Sequence, residues 1–150
     1  MRGWRLTRPR YQRDPLSGFG AARAGSRWNS PGVRVGYAST SRPLAVLEMP
    51  VHVGRDAVPD DLVLIPIEVP DELVEQAANL PHDWNRLPFS LGARGVGDRW
   101  AADGRAVALA VPSVVLPLEK NLLVNPLHPD FLRVGILPPE PFSFDRRLLR

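Results

Sequence analysis

Seventeen prolines punctuate the 150 residues, the first at Pro9 and the last at Pro141. Each locks φ near −65° and withdraws a backbone donor, so the chain must turn often and at fixed places. The length suffices for one ordinary core and falls short of two, which gives a single domain over residues 1–150. With 44% hydrophobic and 23% charged residues, the composition is that of a soluble globular chain.

Between these turns the pattern predicts several short strands and few helices. Trp4–Leu6 reads as a first strand, after which Pro9, Pro15, Gly18, Gly20 and Gly25 break the chain into loop. A turn over Arg27–Gly32 leads into Val33, Val35 and Tyr37, which alternate as in a half-buried strand and suggest a hairpin. Ser39, Thr40 or Ser41 can cap a helix carrying Leu44, Leu47 and Val51 at helical spacing, with Pro50 stopping it at Met49. The run Leu62–Val69 has the apolar continuity of a central strand, although Pro66 argues for a bulge or an edge. A short helix is expected from Pro70 and another over Leu91–Ala101. Ala106–Val111, Val114–Leu118, Leu122–Val124 and Arg133–Leu137 complete the extended pieces. The fold class is therefore α+β with a mixed sheet.

The absence of cysteine removes disulfides, thiolate catalysis and thiolate-held metals. His52, His82 and His128 are too far apart to form a helical metal-binding pair, so no metal is expected. No apolar run approaches the roughly 20 residues that cross a bilayer. The Arg-studded start lacks a signal-peptide pattern, so a cytoplasmic location without membrane contact is expected. Residues 1–42 hold nine Arg against one Asp, whereas residues 43–150 hold ten basic against fifteen acidic side chains. The first part must face something anionic: a nucleotide, a nucleic acid or an acidic protein.

Glu48 is the carboxylate of interest, embedded in Leu44–Val51 and placed near the predicted end of its helix, where the backbone dipole disfavours it. The alternative is a solvated Glu on the polar side of an amphipathic helix. Arg27, beside Gly18, Gly20 and Gly25, could grip a phosphate, but most of eighteen Arg must be solvated surface. Tyr37 could pack on the core or on a flat ligand. Ser113 closes an apolar strand without a nucleophile-elbow motif around it. Asn121 and Asn125 flank an apolar run, in positions where amides usually satisfy turns, and His128 reads as structural.

Taken in order, Ser26–Gly32, Tyr37-Ala38-Ser39, Leu44–Glu48, Asp83-Trp84, Gly97–Trp100, Val111-Pro112-Ser113 and Asn121–Pro129 resemble the RES domain across nearly the whole chain. The usual Gly before Arg-Trp-Asn is Ser26 here. The resemblance implies a fold of the ADP-ribosyltransferase type and NAD+ as substrate. It also implies the toxin role in a toxin–antitoxin pair, with an Xre-like antitoxin that blocks the pocket and a homodimer within the complex. The family's Arg, Tyr, Glu and Ser fall on Arg27, Tyr37, Glu48 and Ser113, and Asn125 joins the residues expected to bind the nucleotide. On this reading Glu48 faces the ribose cation and Arg27 holds the pyrophosphate. Tyr37 packs on nicotinamide, and Ser113 orients an amide or ribose group.

The acceptor stays open among water, phosphate and a protein side chain. Two rival classes also stay open. One is an aromatic-basic nucleic-acid arm formed by Trp4, Arg5, Arg8, Arg10, Tyr11 and Arg13, although the toxin reading expects no direct contact with nucleic acid. The other is an inactive module docking an acidic partner.

Overall fold

In the computed structural model, which describes residues 1–150, the strands are β1 (Arg2–Thr7), β2 (Gly36–Ser39), β3 (Leu62–Glu68), β4 (Val74–Gln76), β5 (Ala108–Pro112), β6 (Lys120–Val124), β7 (Gly135–Ile136) and β8 (Glu140–Phe142). The helices are α1 (Phe19–Ala24), α2 (Arg42–Val53) and α3 (Leu91–Asp103). The strands form one mixed sheet in the order β4-β5-β6-β2-β1-β3-β7, with β8 beside β7 on the outer edge of β3. Only β4 and β5 run parallel. The expected α+β class is the observed one.

β3 is not at the middle of the sheet but next to its short outer strands, paired on both edges, and it tolerates Pro66 because of where its partners stop. One edge pairs with β1 along six residues. On the other edge β8 covers Leu62 to Leu64 and β7 covers Ile67 and Glu68, so Pro66 lies where no strand needs its missing N–H. Its carbonyl still accepts from Leu137 N at 2.9 Å. Neither a bulge nor an edge strand is required.

Pairing between β1 and β2 is confined to Trp4 opposite Ser39. By contrast, β2 pairs with β6 along four residues. The sheet is thus joined at its middle by one residue pair, and a single row, Pro66–Trp4–Ser39–Asn121–Val111, runs through that junction across five strands. The face carrying this row has two separate covers. At the β1–β3 end, α2 and the C-terminal segment pack Ala45, Met49, Phe142 and Phe144 with Leu6, Leu62 and Leu64. At the β5–β6 end, α3 and the Trp28 loop pack Trp28, Ala93 and Trp100 with Leu109, Val111 and Leu123. Leu16, Ile67, Val107, Leu122 and Val124 belong to a third cluster.

Several local expectations are corrected. The helix after Ser41 passes through Pro50 and ends at Gly54, whose φ of 85° suits glycine. Pro50 removes only the bond to its own N–H, while Ser41 Oγ caps the first turn by accepting from Leu44 N at 3.2 Å. Glu48 therefore sits inside the helix and not at its end. The inward stripe is Leu44, Ala45 and Glu48, whereas Leu47 and Val51 are exposed. No hairpin forms over residues 27–37. Ser26 and Asn29 make a single bridge, and the buried Asn29 amide nitrogen holds the loop from the carbonyls of Ala21 and Val33, both at 3.0 Å. Val114–Leu118 is a turn, because Ser113 Oγ accepts from Val115 N and Leu116 N. The helix expected from Pro70 is one 3-10 turn that leads into β4.

α3 forms despite three glycines, of which Gly92 is crowded by Pro81 and Asp83 and Gly97 most severely by backbone. A Cβ on Gly97 would lie 1.7 Å from the Trp28 carbonyl oxygen, whereas one on Gly95 would meet only the movable end of Arg99. Gly97→Ala is therefore expected to destabilise the fold by about 1–3 kcal/mol through overpacking. Gly95→Ala should be neutral or stabilising by up to about 1 kcal/mol through helix propensity. Urea denaturation of the two variants separates these outcomes, and equal stabilities would contradict the packing of α3 on Trp28.

Candidate active site

Where β1 and β2 part, a cleft of about 460 Å³ opens between the two covers, within the volume range of small-molecule sites. Trp4, Tyr37, Ser39 and Asn121 line its floor. α2 contributes Ala45, Glu48, Met49 and His52 as one wall, and the segment from Gly20 to Trp28 contributes the other. A second hollow, at Arg2, Glu68, Asp71 and Arg133, is more open. Its charges are already paired, Arg2 with Glu68 and Arg133 with Glu72.

Glu48 reaches the cleft because α2 turns its Leu44–Ala45–Glu48 stripe toward the sheet. Its Oε1 accepts two hydrogen bonds, from Ser113 Oγ at 2.8 Å and from Asn121 Nδ2 at 2.6 Å. No Lys, Arg or His forms an ion pair with it. The carboxylate is held by neutral donors on one oxygen, which leaves it without an ion-pair partner and its other oxygen unclaimed.

Ser113 is fully buried and its hydroxyl is saturated. Both lone pairs accept from backbone N–H groups, of Val115 at 3.0 Å and Leu116 at 3.1 Å, so its proton goes to Glu48. In this structure Ser113 meets the carboxylate of Glu48, with its one proton and both lone pairs engaged within the protein.

Arg27 lines the same cleft. Its Nη1 donates to the carbonyls of Trp84 at 3.0 Å and Arg86 at 2.9 Å, which ties the 81–90 loop to the wall and leaves the other guanidinium N–H groups free. Trp84 in turn stacks on Trp28 at 6.2 Å between ring centroids. Burial pushes the Arg27 guanidinium below its ordinary value, while the charge of Glu48 acts in the opposite direction. Arg27 and Glu48 thus share one electrostatic environment.

Tyr37 presents its ring to the cleft, while its hydroxyl is anchored behind, donating to Asn29 Oδ1 at 2.7 Å. Burial pushes the phenol well above its ordinary value.

Asn125 is not brought to the cleft. It stands four residues along β6 from Asn121, about 13 Å at strand rise, and its amide donates to Ala101 O while its Oδ1 accepts from Leu127 N. It ties the end of β6 to α3. His128 is structural too, its Nδ1 accepting from Asp130 N. Nor do the six aromatic and basic residues of the first segment form one arm. Trp4 and Arg5 are interior members of β1, whereas Arg8, Arg10, Tyr11 and Arg13 are exposed beyond it.

Two cleft residues escape sequence reasoning. Arg5 donates to Tyr37 O at 3.2 Å across the opening between β1 and β2, its Nε has no partner, and it joins no ion pair. Burial lowers its guanidinium below the ordinary value. Nothing local marks it among eighteen arginines. Asn121 stands out only as one of two similar amides, and strand register alone separates its role from that of Asn125.

The RES domain family model matches residues 2–145. The chain is 41% identical over 145 residues to the Prs ADP-ribosylating toxin of Sphingobium sp. strain YBL2, covering 93% of this chain and 90% of that protein. It is 35% identical over 150 residues to Toxin Res of Photorhabdus laumondii, covering 98% and 96% respectively. One chain of the M. tuberculosis MbcT–MbcA toxin–antitoxin complex shares the fold, with a TM-score of 0.78 at 20% identity over 99% of this chain and 86% of that one.

The raised Tyr37 phenol makes a pH prediction. The unfolded tyrosine ionises near its ordinary value of about 10, while the folded one stays protonated above it. Its contribution to stability is therefore complete below about pH 10 and is lost as pH rises toward the folded value. Between about pH 9 and 11.5 the wild type should lose more stability than Tyr37→Phe, by up to about 1.4 kcal/mol per pH unit. Urea denaturation at the two pH values measures it, and identical slopes would contradict the burial of the phenol.

Proposed function

The chain belongs to the RES domain family, and on that footing we propose that it is the toxin of a toxin–antitoxin pair and cleaves the nicotinamide–ribose bond of NAD+. The observation that carries this reading is the content of one cleft: a carboxylate in no ion pair, Glu48, together with two guanidinium groups, Arg5 and Arg27, that form none either. NAD+ carries a diphosphate and forms a cationic sugar as its base departs, so it complements both halves of that arrangement.

In the reaction the bond between ribose C1′ and the pyridinium nitrogen breaks, and the electron pair leaves with neutral nicotinamide. The positive charge passes to the ribose as an oxocarbenium-like centre, as in glycoside cleavage. The unclaimed oxygen of Glu48 faces that charge or a ribose hydroxyl. Arg27 and Arg5 hold the diphosphate through charge-assisted hydrogen bonds, and the Tyr37 ring packs against the base. Ser113 acts through Glu48. The acceptor adds to C1′ and gives up a proton; with water the products are ADP-ribose and nicotinamide, and with phosphate the ribose is phosphorylated at C1′.

A second reading has specific support. A relative that covers nearly the whole chain is named an ADP-ribosylating toxin, which favours a protein side chain as the acceptor. The antitoxin partner is supported by the toxin–antitoxin complex whose chain shares this fold, and the cytoplasmic location by the substrate. No helix is long and apolar enough to cross a membrane.

Glu48→Gln is expected to lower NAD+ turnover about 10²- to 10³-fold, as loss of one well-placed electrostatic group does, with no loss of helical circular dichroism. Arg27→Ala should raise KM for NAD+ more than it lowers kcat, since ground state and transition state both carry the diphosphate. Mass spectrometry of NAD+ and its products, with and without phosphate and with candidate protein acceptors, reads both effects and the acceptor. Wild-type turnover by Glu48→Gln would end this reading.

A further inference from the structure

We propose that Asn121 is a positioning residue for the reaction, and that Ser39 fixes its amide so that Glu48 Oε1 is occupied and the other oxygen is presented to the sugar. The inference rests on the reading of Glu48 as the catalytic carboxylate. It starts from register. Ser39 on β2 and Asn121 on β6 are directly opposed, in the row that passes through the β1–β2 junction. Ser39 is buried, and its Oγ donates to Asn121 Oδ1 at 2.8 Å. With its oxygen engaged, the amide turns Nδ2 toward Glu48, to which it donates at 2.6 Å. The reversed amide would set its own oxygen against a carboxylate oxygen at that distance.

The second donor closes the arrangement. Ser113 follows β5, and its saturated hydroxyl can give its proton only to the same Oε1. Two donors from two neighbouring strands thus converge on one oxygen of a side chain that arrives from α2. A carboxylate so held cannot rotate freely, and the oxygen that remains is the one free to meet a hydroxyl or a cation. Neutral donors do this without cancelling the charge, which an arginine in their place would do. Asn121 therefore contributes orientation, a term realised in kcat, and little binding of its own.

The test uses the purified full chain with NAD+ as the probe, comparing kcat, KM and thermal stability for Asn121→Ala, the isosteric Asn121→Asp, Ser39→Ala and Glu48→Gln. Asn121→Asp keeps the shape and places a second carboxylate against Glu48. Asn121→Ala and Asn121→Asp are expected to lower kcat about 10- to 100-fold, with KM within about threefold of wild type and the fold retained. Ser39→Ala should lower kcat about 3- to 10-fold. Combined with Glu48→Gln, either Asn121 substitution should reduce the residual rate by less than about twofold, because the group it positions is already altered. The proposal is overturned if both Asn121 variants keep kcat within about twofold of wild type. It is equally overturned if their loss lies in KM, or if their effect multiplies with that of Glu48→Gln. Wild-type turnover by Glu48→Gln alone marks failure of the underlying assignment of the carboxylate, a result distinct from these.

Discussion

β1 and β2 touch at one residue pair, Trp4 opposite Ser39, and then separate. Strands that part inside a sheet leave backbone groups and side chains without their usual neighbours, and the space must be packed or left as a site. Here it is left open. Arg5 spans it with a single hydrogen bond to the Tyr37 carbonyl, and the helical covers pack on either side without meeting over it. The cleft, its floor and both of its walls follow from that one short junction.

Into this opening the fold directs charge in an unusual balance. A half-buried carboxylate without a cation is ordinarily costly, and two neutral donors on one oxygen offset part of that cost while preserving the charge. On the facing side, Arg27 is tethered through carbonyls, which orient a guanidinium and leave its charge intact. Each charged group is thus held by dipoles and not by an opposite charge. Such a site is complementary to a ligand that brings an anion and a developing cation together, which is the physical content of the reading as an NAD+-cleaving toxin.

Much of the frame is legible in local sequence. β3 follows from an apolar run, α2 from its Ser41 cap, and α3 is placed over nearly its full length, because each depends on contacts close in the chain. Pro66 misleads because the penalty for a strand proline depends on whether its missing N–H faces a partner, which is a tertiary fact; Pro50 misleads because the helix gives up one i−4 bond there and continues to Gly54. Val114–Leu118 reads as a strand by composition, yet the Ser113 hydroxyl bends it into a turn that supports Glu48. β8 is hidden by Pro139 and Pro141, which are acceptable at an outer strand.

The class of fold, the family and the grouping of Arg27, Tyr37 and Glu48 can all be read from the chain alone, since these three residues lie in one continuous stretch whose motif and periodicity are local. The lack of thiol chemistry is equally plain there. Three assignments come from packing instead: which amide serves the carboxylate, that Ser113 is spent on Glu48, and that Arg5 belongs to the cleft. They depend on strand register and on the parting of β1 from β2. Both are set between segments as distant in the chain as Ser39 and Asn121, where no local pattern records which residues will meet.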